Sequence, residues 1–129
     1  MARLQKLRRR AEFQRASRGK RAQARAFTLQ AVRRSAPDAE TRARVGFTVT
    51  KKVGNSVVRN RIRRRLREAV KRASPDAAMA DHDYVVMARE AALREPFAAL
   101  VESIDRAFAE IRRAKPRPVK SAETRDRRP

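Results

Sequence analysis

No cysteine occurs in this sequence of 129 residues, and no tryptophan. Without thiols there is no disulfide scaffold and no thiolate metal site, which suits a reducing compartment. Three glycines leave no Gly-rich phosphate loop. A protein nuclease needs paired acids for a metal, or a histidine-based acid–base pair. The only histidine is His82, flanked by Asp81 and Asp83. Neighbours in an extended segment point apart, and the trio sits where a turn is expected. No catalytic residue and no metal ligand is therefore expected in the chain itself. No apolar run reaches membrane-spanning length, and the charged N-terminus lacks the apolar core of a secretory signal. Neither a membrane nor a small-molecule substrate is indicated.

Acids are also scarce. Fourteen Asp and Glu stand against 35 Lys and Arg, a formal net charge of +21. Such a chain attracts any polyanion nearby. Twenty-eight of the basic residues are Arg, which forks onto phosphate and stacks on bases, and seven are Lys. Hydrophobic residues make up 41%, enough for a modest core, so a folded protein carries the charge. The first 35 residues hold one acid, Glu12, as in an organellar transit peptide, but they also carry fold signals.

Residues 1–8 read as mobile. Arg9 to Ser17 reads as a short helix anchored by Phe13 and ended by Gly19-Lys20. From Ala26 to Val32 the chain alternates, with Phe27, Leu29 and Ala31 on one face, which predicts a strand. Ser35 to Asp38 is a turn. Ala43 to Thr50 alternates again, with Val45, Phe47 and Val49 together. Gly54-Asn55-Ser56 breaks that strand and offers helix caps. Val57 to Arg72 has helical period, and Ser74-Pro75-Asp76 stops it. Tyr84 to Ala88 is apolar throughout, as in a strand covered on both faces. Phe97, Leu100, Ile104, Phe108 and Ile111 mark a last amphipathic helix. Residues 114–129 hold three prolines, many charges and few apolar groups, and read as a disordered basic tail. The result is one α+β domain over residues 1–113 with one small sheet.

The segment Lys51 to Arg72 holds ten basic residues and one acid, Glu68. On a helix, Val58, Ile62, Leu66, Ala69 and Val70 fall within an arc of about 120°. The remaining surface is cationic. Like charges at i,i+4 cost roughly 0.2–0.5 kcal/mol per pair, a cost that a solvated face of mixed sign would avoid. A polyanionic partner accounts for it, and nucleic acid fits better than a membrane surface, because the apolar face lacks Trp and Phe and is needed for the core.

The run Val45-Gly46-Phe47-Thr48-Val49-Thr50-Lys51-Lys52-Val53-Gly54-Asn55-Ser56-Val57-Val58-Arg59-Asn60-Arg61-Ile62-Arg63-Arg64 resembles the signature of the bacterial ribonuclease P protein subunit. In that family a strand ends in a Lys pair, a Gly-Asn turn follows, and Arg-Asn-Arg opens a basic helix. Glu12-Phe13 and Asp83 to Arg89 resemble its first helix and last strand, so the resemblance covers roughly residues 7–113. It implies the order α-β-β-β-α-β-α and a fold like the second domain of ribosomal protein S five. That fold has a left-handed strand–helix–strand crossover, opposite to the general rule.

The resemblance also implies a function. Such proteins join a catalytic RNA subunit to remove the 5′ leader from precursor tRNA in the bacterial cytoplasm, and the RNA with its Mg2+ carries out the hydrolysis. Carried over by position, Arg59, Asn60 and Arg61 match the triplet that binds the RNase P RNA, and Lys51, Lys52, Arg63, Arg64 and Arg67 extend that surface. Phe13 matches an aromatic of the leader-binding cleft, where stacking on a base tolerates any sequence. Phe47 and Arg89 are further cleft candidates. Ser17 and Gln30 stand where relatives often place cleft aromatics, which shifts leader contacts toward charge and hydrogen bonds. Each residue has a plainer reading: Phe13 and Phe47 as core, Asn60 as an exposed helical residue, Tyr84 as packed with its hydroxyl satisfied. Two other functions would share the charge: a ribosomal or nucleoid structural protein, and a nuclease needing no RNA. The Lys51–Arg64 motif argues against both.

Overall fold

A computed structural model describes residues 4–34 and 42–114. The turn expected at Ser35 to Asp38 and the tail beyond Ala114 lie outside the described residues. The elements are β1 (Gln5–Lys6), α1 (Arg10–Ala16), β2 (Lys20–Gln23), β3 (Phe27–Arg33), β4 (Arg44–Thr48), α2 (Ser56–Ala73), β5 (His82–Ala88) and α3 (Phe97–Arg113). They form one five-stranded sheet in the order β1-β4-β5-β3-β2. β2, β3 and β5 run antiparallel to their neighbours in turn, whereas β4 is parallel to both β5 and β1. The parallel pair β4–β5 is joined through α2, so the helix crosses one face of the sheet.

The alternation read from the sequence decides which residues face that helix. Phe27, Leu29 and Ala31 of β3, Val45 of β4 and Tyr84 and Val86 of β5 are all buried with Ile62, Leu66 and Val70 of α2 and Leu100, Ile104, Phe108 and Ile111 of α3. Tyr84 and Phe108 meet with ring centroids 4.5 Å apart. The Tyr84 oxygen accepts from the Met79 backbone N–H at 2.8 Å. Burial pushes the Tyr84 hydroxyl up to about 12 despite that bond. The other face is covered by α1, with Val85, Leu7 and Ala16 buried there beside the half-buried Phe13 and Val32. β5 is therefore covered on both sides, as its unbroken apolar run requires.

Three expectations change. Gln5 and Lys6, expected within a mobile segment, form a strand: the Gln5 N–H donates to the Ala43 carbonyl at 2.9 Å and the Leu7 N–H to Val45 at 3.0 Å. Leu7, whose side chain is 4% exposed, supplies the apolar anchor that a reading of charge alone overlooks. The order is thus β-α-β-β-β-α-β-α among the described residues. β5 also begins at His82 rather than Tyr84, because His82 and Asp83 pair with Arg33 and Val32 of β3. The expected turn holds for Asp81, where the His82 N–H donates to the Met79 carbonyl at 3.0 Å, whereas His82 and Asp83 already belong to the strand.

Candidate RNA interface

α2 starts where the Asn55 side chain accepts from the Val58 N–H at 3.0 Å, an N-cap of the kind its position suggests. Gly54 before it is needed, since a Cβ there would lie 2.9 Å from Val58 Cγ1. The helix ends at Ser74, which adopts a left-handed conformation at φ 42°. Ile62, Leu66, Ala69 and Val70 are buried and fix the rotation of the helix. That rotation leaves Asn60, Arg61, Arg64 and Arg67 exposed, with Arg59 and Arg63 half-buried. Lys51 and Lys52, in the short 3-10 turn between β4 and α2, are exposed beside them.

Two of these arginines are pre-set by local bonds. Arg59 Nε donates to the Gly54 carbonyl at 3.1 Å, and Arg63 donates to the Asn60 side chain at 3.3 Å. Each bond uses one N–H and leaves the rest of the guanidinium fork available. Arg65 behaves differently. Its two Nη atoms donate to the Ala92 carbonyl at 2.5 Å and the Glu95 carbonyl at 2.6 Å, tying α2 to the segment before α3. Position on the helical wheel placed Arg65 with the cationic face, but its partners make it a structural tie.

The three cleft candidates do not come together. Phe13 and Phe47 line one cavity of about 260 Å3, together with Leu4–Leu7, Val45, Gly46, Arg63 and Arg67. It opens at the β1 edge of the sheet, where β1 ends after pairing with Arg44 and Val45 and leaves Phe47 without a strand partner on that side among the described residues. Gly46 forms its floor, and the Phe13 ring lies directly on that glycine. Phe47 also packs against the main core, so its core reading and its cavity reading hold together. Arg89 lies toward the opposite edge, donating to Gln23 Oε1 at 2.6 Å and Thr28 Oγ1 at 2.8 Å. Gln30 is buried beneath the α1 side of the sheet, and Ser17 closes α1 by donating to the Gln14 carbonyl at 2.6 Å.

A charged cluster went unseen in the sequence. Asp83 is fully buried and accepts from Arg34 at 2.8 Å and from Arg44 Nε and Nη2 at 2.8 and 2.9 Å. Burial alone would raise its carboxyl, but the bonds from Arg44 and Arg34 outweigh that and hold it below the usual carboxylate range. The only hint in the sequence is that Arg44 shares the non-core face of its strand with Gly46. Other acids are committed as well: Glu12 to Arg44, Asp81 to His82 and Arg33, and Glu68 to Lys71. No group of three His, Cys, Asp or Glu among the described residues could hold a metal ion. Nor is any described helix long and apolar enough to cross a membrane.

A small α+β domain that seals one face of an arginine-rich helix into its core and presents the other as a continuous cationic surface is a nucleic-acid-binding protein. The sequence model described as Ribonuclease P matches residues 1–112. The ribonuclease P protein component of Paramagnetospirillum magneticum is 48% identical over 105 residues, which cover 80% of this chain and 79% of that protein. That of Gluconacetobacter diazotrophicus is 47% identical, covering 81% and 88%. Among solved structures, the Staphylococcus aureus RNase P protein matches with a TM-score of 0.64 at 28% identity, covering 80% of this chain and 91% of that one. The chain belongs to the bacterial ribonuclease P protein family. Its role is that of a ribonuclease P protein component, and the ribosomal or nucleoid alternative is not favoured.

Proposed function

We propose that this protein binds a catalytic RNA subunit through α2 and, with it, removes the 5′ leader of precursor tRNA in the bacterial cytoplasm. The observation that carries the reading is the orientation of α2. Its apolar stripe is sealed in the core, which leaves Asn60, Arg61, Arg64 and Arg67 exposed and Arg59 and Arg63 half-exposed, while Lys51 and Lys52 are exposed in the turn before it. Phosphate contacts from such a surface position an RNA without reading its bases. Hydrolysis is assigned to the RNA and its Mg2+, as the family resemblance implies; among the described residues no group of three His, Cys, Asp or Glu could hold a metal ion.

The leader is assigned to the groove that runs past α1. In the cavity at the β1 edge, Phe13 and Phe47 offer apolar surface to a base while Arg63 and Arg67 receive its phosphates. Arg89, tethered to Gln23 and Thr28, offers a second phosphate contact toward the β2 edge. The test is RNA affinity and folding measured on the same variant. Replacing Arg59 and Arg61 with Ala should weaken binding of the cognate catalytic RNA while circular dichroism and the melting temperature stay unchanged. Full affinity in that variant, or lost helicity, would overturn the assignment of these residues as contacts.

A further inference from the structure

The attachment of α1 to the sheet combines a small apolar cluster with ionic contacts. The helix has seven residues, of which only Ala16 is fully buried. Its two polar anchors are Glu12 and Arg15. Glu12 Oε1 accepts from the Arg9 N–H at 3.0 Å and caps the helix, while Oε2 lies 3.1 Å from Arg44 Nη1. Arg15 Nη2 lies 3.5 Å from Asp83 Oδ2. Both anchors therefore lead to the same buried carboxylate, which Arg34 and Arg44 also hold. Arg34 is itself buried and donates further to the carbonyls of His82, Arg42 and Ala80. One carboxylate thus joins α1 to β4, β5 and the end of β3.

Such a cluster is an expensive way to gain stability, because desolvating the ions offsets most of their attraction. Its distinctive property is direction. Forked guanidinium–carboxylate contacts fix the relative placement of the groups they join, whereas a few apolar contacts let a short helix slide. Phe13 follows Glu12, and its ring lies on Gly46, two residues along β4 from Arg44. The placement of the ring is therefore set by the contacts on either side of it.

We infer that the Glu12–Arg44–Asp83–Arg15 cluster positions Phe13 over the cavity at the β1 edge, which makes Glu12, Arg15 and Asp83 positioning residues for leader recognition that need not touch RNA. The inference rests on the leader reading above. Asp83 is a poor place to test it, because its removal strands buried arginines and threatens folding. Glu12→Gln and Arg15→Gln each cut only the α1 side and leave Asp83 with Arg34 and Arg44.

The experiment uses enzyme reconstituted with the cognate catalytic RNA. Affinity is measured for precursor tRNA and for mature tRNA lacking the leader, alongside affinity of each variant for the catalytic RNA. Each variant should lose about three- to tenfold in precursor affinity relative to mature tRNA, with affinity for the catalytic RNA unchanged. In a Phe13→Ala background the same substitutions should add almost nothing, a readout that general destabilisation would not produce. Undiminished preference for the precursor in folded Glu12→Gln and Arg15→Gln, while Phe13→Ala loses it, would overturn the positioning role alone. Full preference in Phe13→Ala itself would overturn the leader reading and this inference with it.

Discussion

Substituting Gly46 with Ala tests the cavity at its floor. A Cβ there would lie 2.4 and 2.7 Å from the Phe13 ring carbons Cζ and Cε2, and 3.0 Å from Leu7 Cβ. Carbon pairs settle at about 3.5–4.0 Å, so the ring must retreat by about 1 Å or α1 must lift. Gly46 does not have a positive φ, so the cost is steric and not a matter of backbone strain. Overpacking of this kind costs about 1–3 kcal/mol. In a domain of about 100 residues, each kcal/mol lowers the melting temperature by roughly 4–8 °C. The displaced ring should also reduce the preference of the reconstituted enzyme for precursor over mature tRNA. In the Phe13→Ala background the two closest clashing atoms are gone and only the 3.0 Å approach to Leu7 Cβ remains, so most of the Gly46→Ala cost should vanish. A melting temperature unchanged by Gly46→Ala, or the same loss with and without Phe13, would refute the placement of the ring.

The exposed cations of α2 and the preceding turn predict a steep salt dependence: with about six phosphates neutralised, log affinity for the catalytic RNA should fall against log salt with a slope of roughly −4 to −5, and a slope near −1 would contradict phosphate-dominated binding. Arg65→Ala should cost roughly 1.5–3 kcal/mol in denaturant unfolding, through lost charged hydrogen bonds to the Ala92 and Glu95 carbonyls, while catalytic-RNA affinity measured on the folded protein changes little. The opposite pattern would return Arg65 to the RNA surface. Tyr84 is the only tyrosine, so ultraviolet titration of phenolate reports it alone. Its midpoint should lie at about 12 in the folded protein. Since folding raises this value above the ordinary 10, Tyr84 contributes stability that is complete below pH 10 and is lost as pH rises toward 12; a folded-state midpoint near 10 would show that the hydroxyl is not buried.

Much of this fold can be read in the sequence because its periods are clean. The alternation through β3 and β4 sorts Leu29 and Val45 from Thr28 and Gly46, and the stripe from Ile62 to Val70 fixes which side of α2 is free. β1 escapes notice because two residues carry no period, and because the neighbouring arginines mask the burial of Leu7. Contacts between distant residues are illegible for a different reason. Nothing local distinguishes Arg65, which reaches the Ala92 carbonyl, from Arg64, which points outward. The meeting of Arg34, Arg44 and Asp83 depends on strand register, which a single sequence does not state. Of the signature triplet, Asn60 and Arg61 are exposed on α2 and Arg59 is half-buried, and of the cleft candidates Phe13 and Phe47 share a cavity whereas Arg89 lies toward the β2 edge.

The central claim is tested most directly by cleavage of a precursor tRNA at low magnesium with the protein alone, the cognate catalytic RNA alone, and both together. Cleavage that requires the RNA and is stimulated by the protein is the predicted result. Cleavage by the protein alone, or no stimulation of the RNA, would contradict it.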